Sequence, residues 1–235
     1  MDGVVLAAGE GTRMRPLTAD RPKALVEVAG QPLLEHAFDT LLSVGVDRLV
    51  VVVGYRGEDI VARYGDGYRG HPVDCVEQTE QLGTAHALAQ ALPVVDAPAV
   101  VLNGDNVCRA NLDGVVERHR DTDAAATLLV ESVTREQAKT TGVVETDAAG
   151  RPVGFVEKPD DPPSTLVNRG FYAFGEAIGP AIERIEPSAR GEYELADAVD
   201  VLLADGHRVE LVELSGWCQN VNEPADIERV EERLG

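Results

Sequence analysis

A chain of 235 residues with 44% apolar side chains is long enough to bury a substantial core, and with aromatics at only 4% that core has to be built from Val, Leu and Ala. Its 41 acidic residues against 21 basic ones give a net charge of -20, which argues against nucleic acid as a partner. No stretch approaches the roughly 20 apolar residues that a bilayer span needs, and Asp2 stands where a signal peptide would carry its basic start, so a soluble, cytoplasmic protein with no membrane partner is expected.

Taken in order, apolar runs of strand length alternate with segments of helical period, the pattern of repeated βαβ units and a mostly parallel, Rossmann-like sheet flanked by helices. Strands are predicted over 3–8, 48–53, 73–77 and 99–103, and helices over 31–44, 57–64 and 84–92. The helix over 31–44 has Pro32 near its first turn and Gly45 just past its end. The second half is less regular. Closely spaced strands over 124–132, 142–146, 153–157 and 167–174 read as partly antiparallel, followed by a helix over 194–204, a strand over 208–214 and a last helix over 225–234. No repeat or linker divides the chain, so residues 1–235 are expected to form one α/β domain whose mixed half closes over a site. Cys75, Cys108 and Cys218 are far apart without paired spacing, and neither a zinc site nor a disulfide is expected.

After the first strand comes Leu6-Ala7-Ala8-Gly9-Glu10-Gly11-Thr12-Arg13, then Pro16, then Pro22-Lys23. A dinucleotide fingerprint would need a third glycine where Met14 stands, and a P-loop would need a Gly-Lys-Ser or Gly-Lys-Thr run that is absent. What remains is a glycine loop at the carboxyl end of a strand whose backbone N–H groups can approach phosphate oxygens, with Arg13 and Lys23 supplying positive charge. Further on stand Gln78 and Glu80-Gln81-Leu82-Gly83-Thr84, where glutamine can offer a pyrimidine edge both a donor and an acceptor. Thr84 would also cap a helix. Leu102-Asn103-Gly104-Asp105 places a hard carboxylate at the end of a predicted central strand, which suits magnesium.

In this order the residues resemble the sugar nucleotidyltransferase (nucleotide-sugar pyrophosphorylase) family, nearest to its glucose-1-phosphate uridylyltransferase and thymidylyltransferase type. Gly9-x-Gly11-Thr12-Arg13 with Pro22-Lys23 match its signature. The resemblance implies the nucleotide-diphospho-sugar transferase fold, with a mixed, partly antiparallel sugar-binding portion. It implies transfer from UTP or dTTP to a sugar 1-phosphate, glucose 1-phosphate first, with Mg2+ as cofactor. It makes Leu6, Ala8, Gly9, Gly11, Thr12, Arg13, Gln78, Gln81, Gly83, Thr84 and Asp105 the nucleotide contacts. Gly142, Glu157, Lys158, Asn168, Gly170 and Glu192 become the sugar-phosphate contacts, and Arg13, Lys23, Asp105 and Lys158 the catalytic set.

The chain has only three lysines, Lys23, Lys139 and Lys158, against 18 arginines, and the acid excess with lysine loss resembles haloarchaeal proteins, whose hydrated carboxylates keep them dissolved at high salt. Two of those three lysines fall where the family uses lysine. The family's usual aspartate near the carboxyl terminus is replaced. Asn220 stands there, with Asn222 as the alternative, so the metal site implied is Asp105 with an asparagine amide oxygen, which lacks a negative charge and holds the ion less tightly. A non-catalytic nucleotide-sugar-binding paralogue therefore stays open beside the enzyme, as does a homo-oligomer.

Overall fold

The computed structural model describes residues 1–235. Its central feature is a nine-stranded sheet. Strand β1 (Asp2–Leu6) enters first, and β2 (Glu27–Val28) and β3 (Gln31–Pro32) make a small antiparallel ladder ahead of helix α1 (Leu33–Ser43). The predicted helix over 31–44 therefore starts two residues late, because Gln31 and Pro32 pair with Val28 and Glu27 and Pro32 keeps an extended backbone at the helix N-cap. Then follow β4 (Arg48–Val53), α2 (Gly57–Tyr64), β5 (Val73–Glu77), α3 (Thr84–Ala91) and β6 (Ala99–Asn103). β1 lies between β4 and β6, β4 pairs onward with β5, and all three pairings are parallel.

The second half reverses direction. Strand β7 (Asn106–Ala110) leaves the main sheet, α4 (Asp113–Thr122) follows, then β8 (Ala126–Ser132), the short α5 (Arg135–Ala138), β9 (Gly142–Thr146), β10 (Pro152–Glu157) and β11 (Leu166–Phe174). β11 runs antiparallel to β6, β8 and β9, which is the mixed portion expected from the spacing. Helices α6 (Ile178–Ile182) and α7 (Leu195–Ala204), strands β12 (Val209–Glu213) and β13 (Gly216–Asn220) and helix α8 (Pro224–Leu234) complete the chain. No helix is long and apolar enough to cross a membrane.

Because strand side chains alternate between faces, a sheet clad on both sides needs near-continuous apolar strands. Val4, Val50, Val52 and Val101 point to one face, where α3, α6 and α7 cover them with small and aliphatic residues. Val5, Leu49, Val51 and Leu102 point to the other, under α1, α2 and α4. Each such side chain removed from water contributes about 1.5–3 kcal/mol.

The cysteine expectation is overturned. β13 pairs antiparallel with β7 in a register that sets Cys218 opposite Cys108, with Cα atoms 4.1 Å apart, and the two form a disulfide. A separation of 110 residues hid the pairing, since only the ladder brings the thiols together. Cys75 alone stays free.

Candidate active site

The parallel strands β1, β4 and β6 end on one edge of the sheet, and the loops leaving them build a cleft there. The peptide after β1 is tied down on both sides: Ala7 N–H donates to Val52 O (2.9 Å) and Gly104 N–H to Leu6 O (2.9 Å). Leu6, Gly9, Lys23, Thr84, Asn103 and Asp105 line a cavity of about 200 Å³ between them. Ala8, expected as a nucleotide contact, is buried in the core and lines neither this cavity nor the adjoining one.

Two glycines of the loop serve different purposes. Gly11 is in the left-handed region (φ 62°), and a Cβ there would lie 2.8 Å from Lys23 Cβ, so the close passage of loop and lysine requires glycine. Thr18 Oγ1 donates to Gly11 O (2.8 Å) and pins this turn. A Cβ on exposed Gly9 would meet nothing within 4 Å, which leaves that space to a ligand. Thr12 and Arg13 start a short 3-10 turn and lie exposed beside it.

Lys23 is the hub. Its Nζ donates to Asp105 Oδ2 (2.9 Å) and to Asn222 Oδ1 (2.9 Å), while Arg13 Nη2 also donates to Asn222 Oδ1 (3.1 Å). Asn222 is held by buried Asp226, whose Oδ2 accepts from the backbone N–H groups of Asn222 (2.8 Å) and Glu223 (3.0 Å) at the start of α8. Of the two asparagines, it is thus Asn222 whose side-chain oxygen meets Asp105 at Lys23. Asn220, at the end of β13, lines the adjoining cavity, and the next residue, Val221, donates its N–H to Asp105 O (2.8 Å).

That second cavity, of about 320 Å³, lies between the parallel and antiparallel halves and gathers Gly142, Glu157, Lys158, Asn168, Gly170 and Glu192. Side chains are barred from its floor: a Cβ on Gly142 would lie 2.8 Å from Glu157 Oε2, and one on Gly170 (φ 70°) 2.6 Å from Asn103 Nδ2. Lys158 adopts φ 46°, uncommon for a non-glycine residue, and its Nζ sits 3.3 Å from Glu157 Oε1. Buried Asn168 donates to Tyr172 Oη (2.5 Å), yet its own Oδ1 has no partner, and the Oδ1 atoms of Asn103 and Asn106 are unpartnered too. All three oxygens are sealed from solvent, so each is a buried acceptor left unpaired within the protein, at a cost in stability.

Arg190, one of 18 arginines, stands two residues before Glu192 and carries no motif of its own in the sequence. It lines the same cavity, with Nη2 2.8 Å from Glu192 Oε2 and 2.6 Å from Glu194 Oε1. Burial pushes the Glu194 carboxyl up to about 7 against the opposing pull of Arg190. The base loop is split. Gln81 is exposed, Gln78 is buried and Gly83 (φ 108°) passes so close to Tyr193 that a Cβ would lie 2.5 Å from its carbonyl oxygen; none of the three lines either cavity. Thr84 borders both cavities and its Oγ1 accepts from Leu195 N–H (3.2 Å).

A glycine loop and cations at the parallel edge, opening into a pocket lined by carboxylates, amides and two further cations, suit a protein that brings phosphate groups and a polar ligand together. Comparison with known proteins agrees: residues 2–220 match the nucleotidyl transferase family, and the chain belongs to it. It is 45% identical over 234 residues to the UTP-glucose-1-phosphate uridylyltransferase AglF of Haloferax volcanii, covering 100% of this chain and 96% of that one. It is 35% identical to a glucose-1-phosphate thymidylyltransferase of Streptomyces antibioticus, covering 97% of this chain and 64% of that enzyme. Among solved structures, a putative glucose-1-phosphate thymidylyltransferase from Bacillus anthracis in complex with sucrose superposes with a TM-score of 0.88 at 26% identity, covering 99% of this chain and 94% of that one.

Proposed function

We propose that this protein joins UTP to glucose 1-phosphate, releasing pyrophosphate and forming the nucleotide sugar, with dTTP as the weaker nucleotide. The observation that carries the reading is the meeting of Lys23, Asp105 and Asn222 between the nucleotide cavity and the sugar cavity, because there the two substrates' phosphates can reach one another. A phosphate oxygen of the sugar 1-phosphate attacks the α-phosphorus. The bond between that phosphorus and the oxygen bridging to the β-phosphate breaks, and its electron pair leaves on pyrophosphate. No covalent enzyme intermediate is required, so this chain's task is positioning and charge stabilisation.

The Gly9 to Arg13 loop and Lys23 receive the triphosphate and offset charge on the departing pyrophosphate. Lys158 holds the sugar phosphate, Arg190 adds a second cation, and Glu157, Asn168 and Glu192 meet sugar hydroxyls. A magnesium ion fits the donor set: Asp105 supplies a hard carboxylate, Asn220 and Asn222 supply amide oxygens, and the Lys23 ammonium already holds two of those oxygens as a cation would. When bound, the ion neutralises phosphate charge at the reacting centre. The acid-rich, lysine-poor composition supports a site of action at high salt, in the cytoplasm.

The test is pyrophosphate release with each pairing of UTP or dTTP and glucose 1-phosphate or N-acetylglucosamine 1-phosphate, in molar potassium chloride. The UTP and glucose 1-phosphate pair should turn over fastest, stop with EDTA and resume with Mg2+. Binding of a nucleotide sugar without turnover of any pair would favour a regulatory paralogue, a reading supported by the uncharged Asn220 and Asn222.

A further inference from the structure

Gln78 follows β5 directly, its backbone N–H bonded to Val53 O (2.8 Å) at the end of β4, so it sits on the same sheet edge as the phosphate loop. Its carboxamide can turn a donor or an acceptor outward, and a half-turn about its terminal bond exchanges the two. In this structure the amino group is engaged on both hydrogens: Nε2 donates to Gly83 O (3.1 Å) and to His86 Nδ1 (2.9 Å). A carbonyl can only accept, so Gly83 O fixes which end of the amide faces inward. That same oxygen already accepts the helical bond from Ala87 N–H (3.0 Å), which leaves the second amino hydrogen to His86. The Gln78 oxygen has no partner within the protein, and it is not among the sealed acceptors.

We propose that His86 is a positioning residue for base selection: by accepting at Nδ1 the second amino hydrogen of Gln78, it completes with Gly83 O the hold that keeps the Gln78 oxygen outward. An outward acceptor suits a base with an imino N–H, as in uracil and thymine. It opposes cytosine, whose ring nitrogen at that position is itself an acceptor. The inference rests on reading Gln78 as the base contact.

The lock requires the proton of His86 to be on Nε2. Gln90 Nε2 lies 3.4 Å from that nitrogen and 3.2 Å from His86 O, an arrangement that favours the other tautomer. The 2.9 Å contact decides between them, because the 3.4 Å contact lies at the limit of a hydrogen bond and can be given up while Gln90 keeps its bond to His86 O. The imidazole is kept in place beside the Tyr193 ring (centroids 6.4 Å apart), and Tyr193 is sewn to the base loop through Leu82 O (2.7 Å) and Ala85 N (2.9 Å).

The experiment is kcat/KM for UTP and for CTP, with glucose 1-phosphate saturating, in the unaltered protein and in His86→Ala, His86→Asn and His86→Gln, alongside calorimetric binding of both nucleotides. Loss of one hydrogen bond to the reader should lower the UTP to CTP ratio about tenfold in His86→Ala. The change should fall on KM for UTP, with kcat and the KM for glucose 1-phosphate unmoved. His86→Asn, whose Oδ1 takes the place of Nδ1, should restore the ratio, and His86→Gln, whose oxygen reaches the Nε2 position, should not. An undiminished ratio in His86→Ala, or equal rescue by Asn and Gln, overturns the proposal. Should the alanine variant not fold, the contrast between Asn and Gln decides alone. An unaltered protein that fails to prefer UTP over CTP in both binding and turnover refutes the reading of Gln78 itself.

Discussion

At the parallel edge of the sheet the charged groups are already bound to one another: Lys23 spans Asp105 and Asn222, and Arg13 adds a second donor to the same amide oxygen. Across the cleft, beside Asn168 on antiparallel β11, Arg190 and Lys158 stand among three carboxylates, Glu157, Glu192 and Glu194. The difference follows from what each half awaits. A triphosphate brings its own charge and can exchange with an internal ion pair, so that half can be organised in advance. A sugar brings neutral hydroxyls, and the carboxylates that line this half supply acceptors for them.

The contrast breaks most severely at its hub. Lys23→Ala should lower kcat by about 10²–10³, since it removes a donor aimed at developing charge. A fall in kcat of less than tenfold would deny the pre-organised role. Next in size is the staple behind the site. Cys108→Ser opens the link between β7 and β13, the strand after Asp105 and the strand ending at Asn220, and should cost about 2–4 kcal/mol in denaturant unfolding under oxidising conditions. The same loss on adding reductant to the unaltered protein would confirm the cause.

On the sugar side the effects should be selective. Lys158→Ala should raise KM for glucose 1-phosphate by about 10- to 100-fold with KM for UTP unchanged, because a single charge-assisted contact is lost. Equal changes in both constants would merge the two halves into one site. The smallest effect is a matter of pH. Glu194 is raised to about 7 by burial, so the folded state binds more protons than the unfolded one between the ordinary carboxylate value and 7. Its contribution to stability is complete below that window and is lost as pH rises through 7. Glu194→Gln should flatten both the stability profile and the pH dependence of KM for glucose 1-phosphate between pH 6 and 8, by a few-fold at most.

Much of this is legible in the amino-acid sequence. The runs over 48–53 and 99–103 are strands at those bounds, since strands buried on both faces are written as unbroken apolar segments, and the more polar edge strand over 73–77 also has the expected bounds. The glycine loop and Asp105 sit together because they follow the carboxyl ends of the neighbouring parallel strands β1 and β6, and the chain beyond the loop folds back so that Lys23 packs against Gly11. Legibility failed where distant segments pair. Nothing local marks β7 and β13, whose ladder sets Cys108 against Cys218, and nothing local tells Asn222 from Asn220 as the partner of Lys23.

The amino-acid sequence by itself determined the alternation of strand and helix, the phosphate loop and the two lysines that survive in a lysine-poor chain. Periodicity, glycine spacing and composition are properties of short stretches, and short stretches carry them unaided. Only the tertiary structure decided which asparagine meets Asp105, that Arg190 enters the sugar cavity, and which end of the Gln78 amide faces outward. Those depend on strand register and on hydrogen-bond partners far away in the chain, and a side chain's donor or acceptor is defined only once its neighbours are in place.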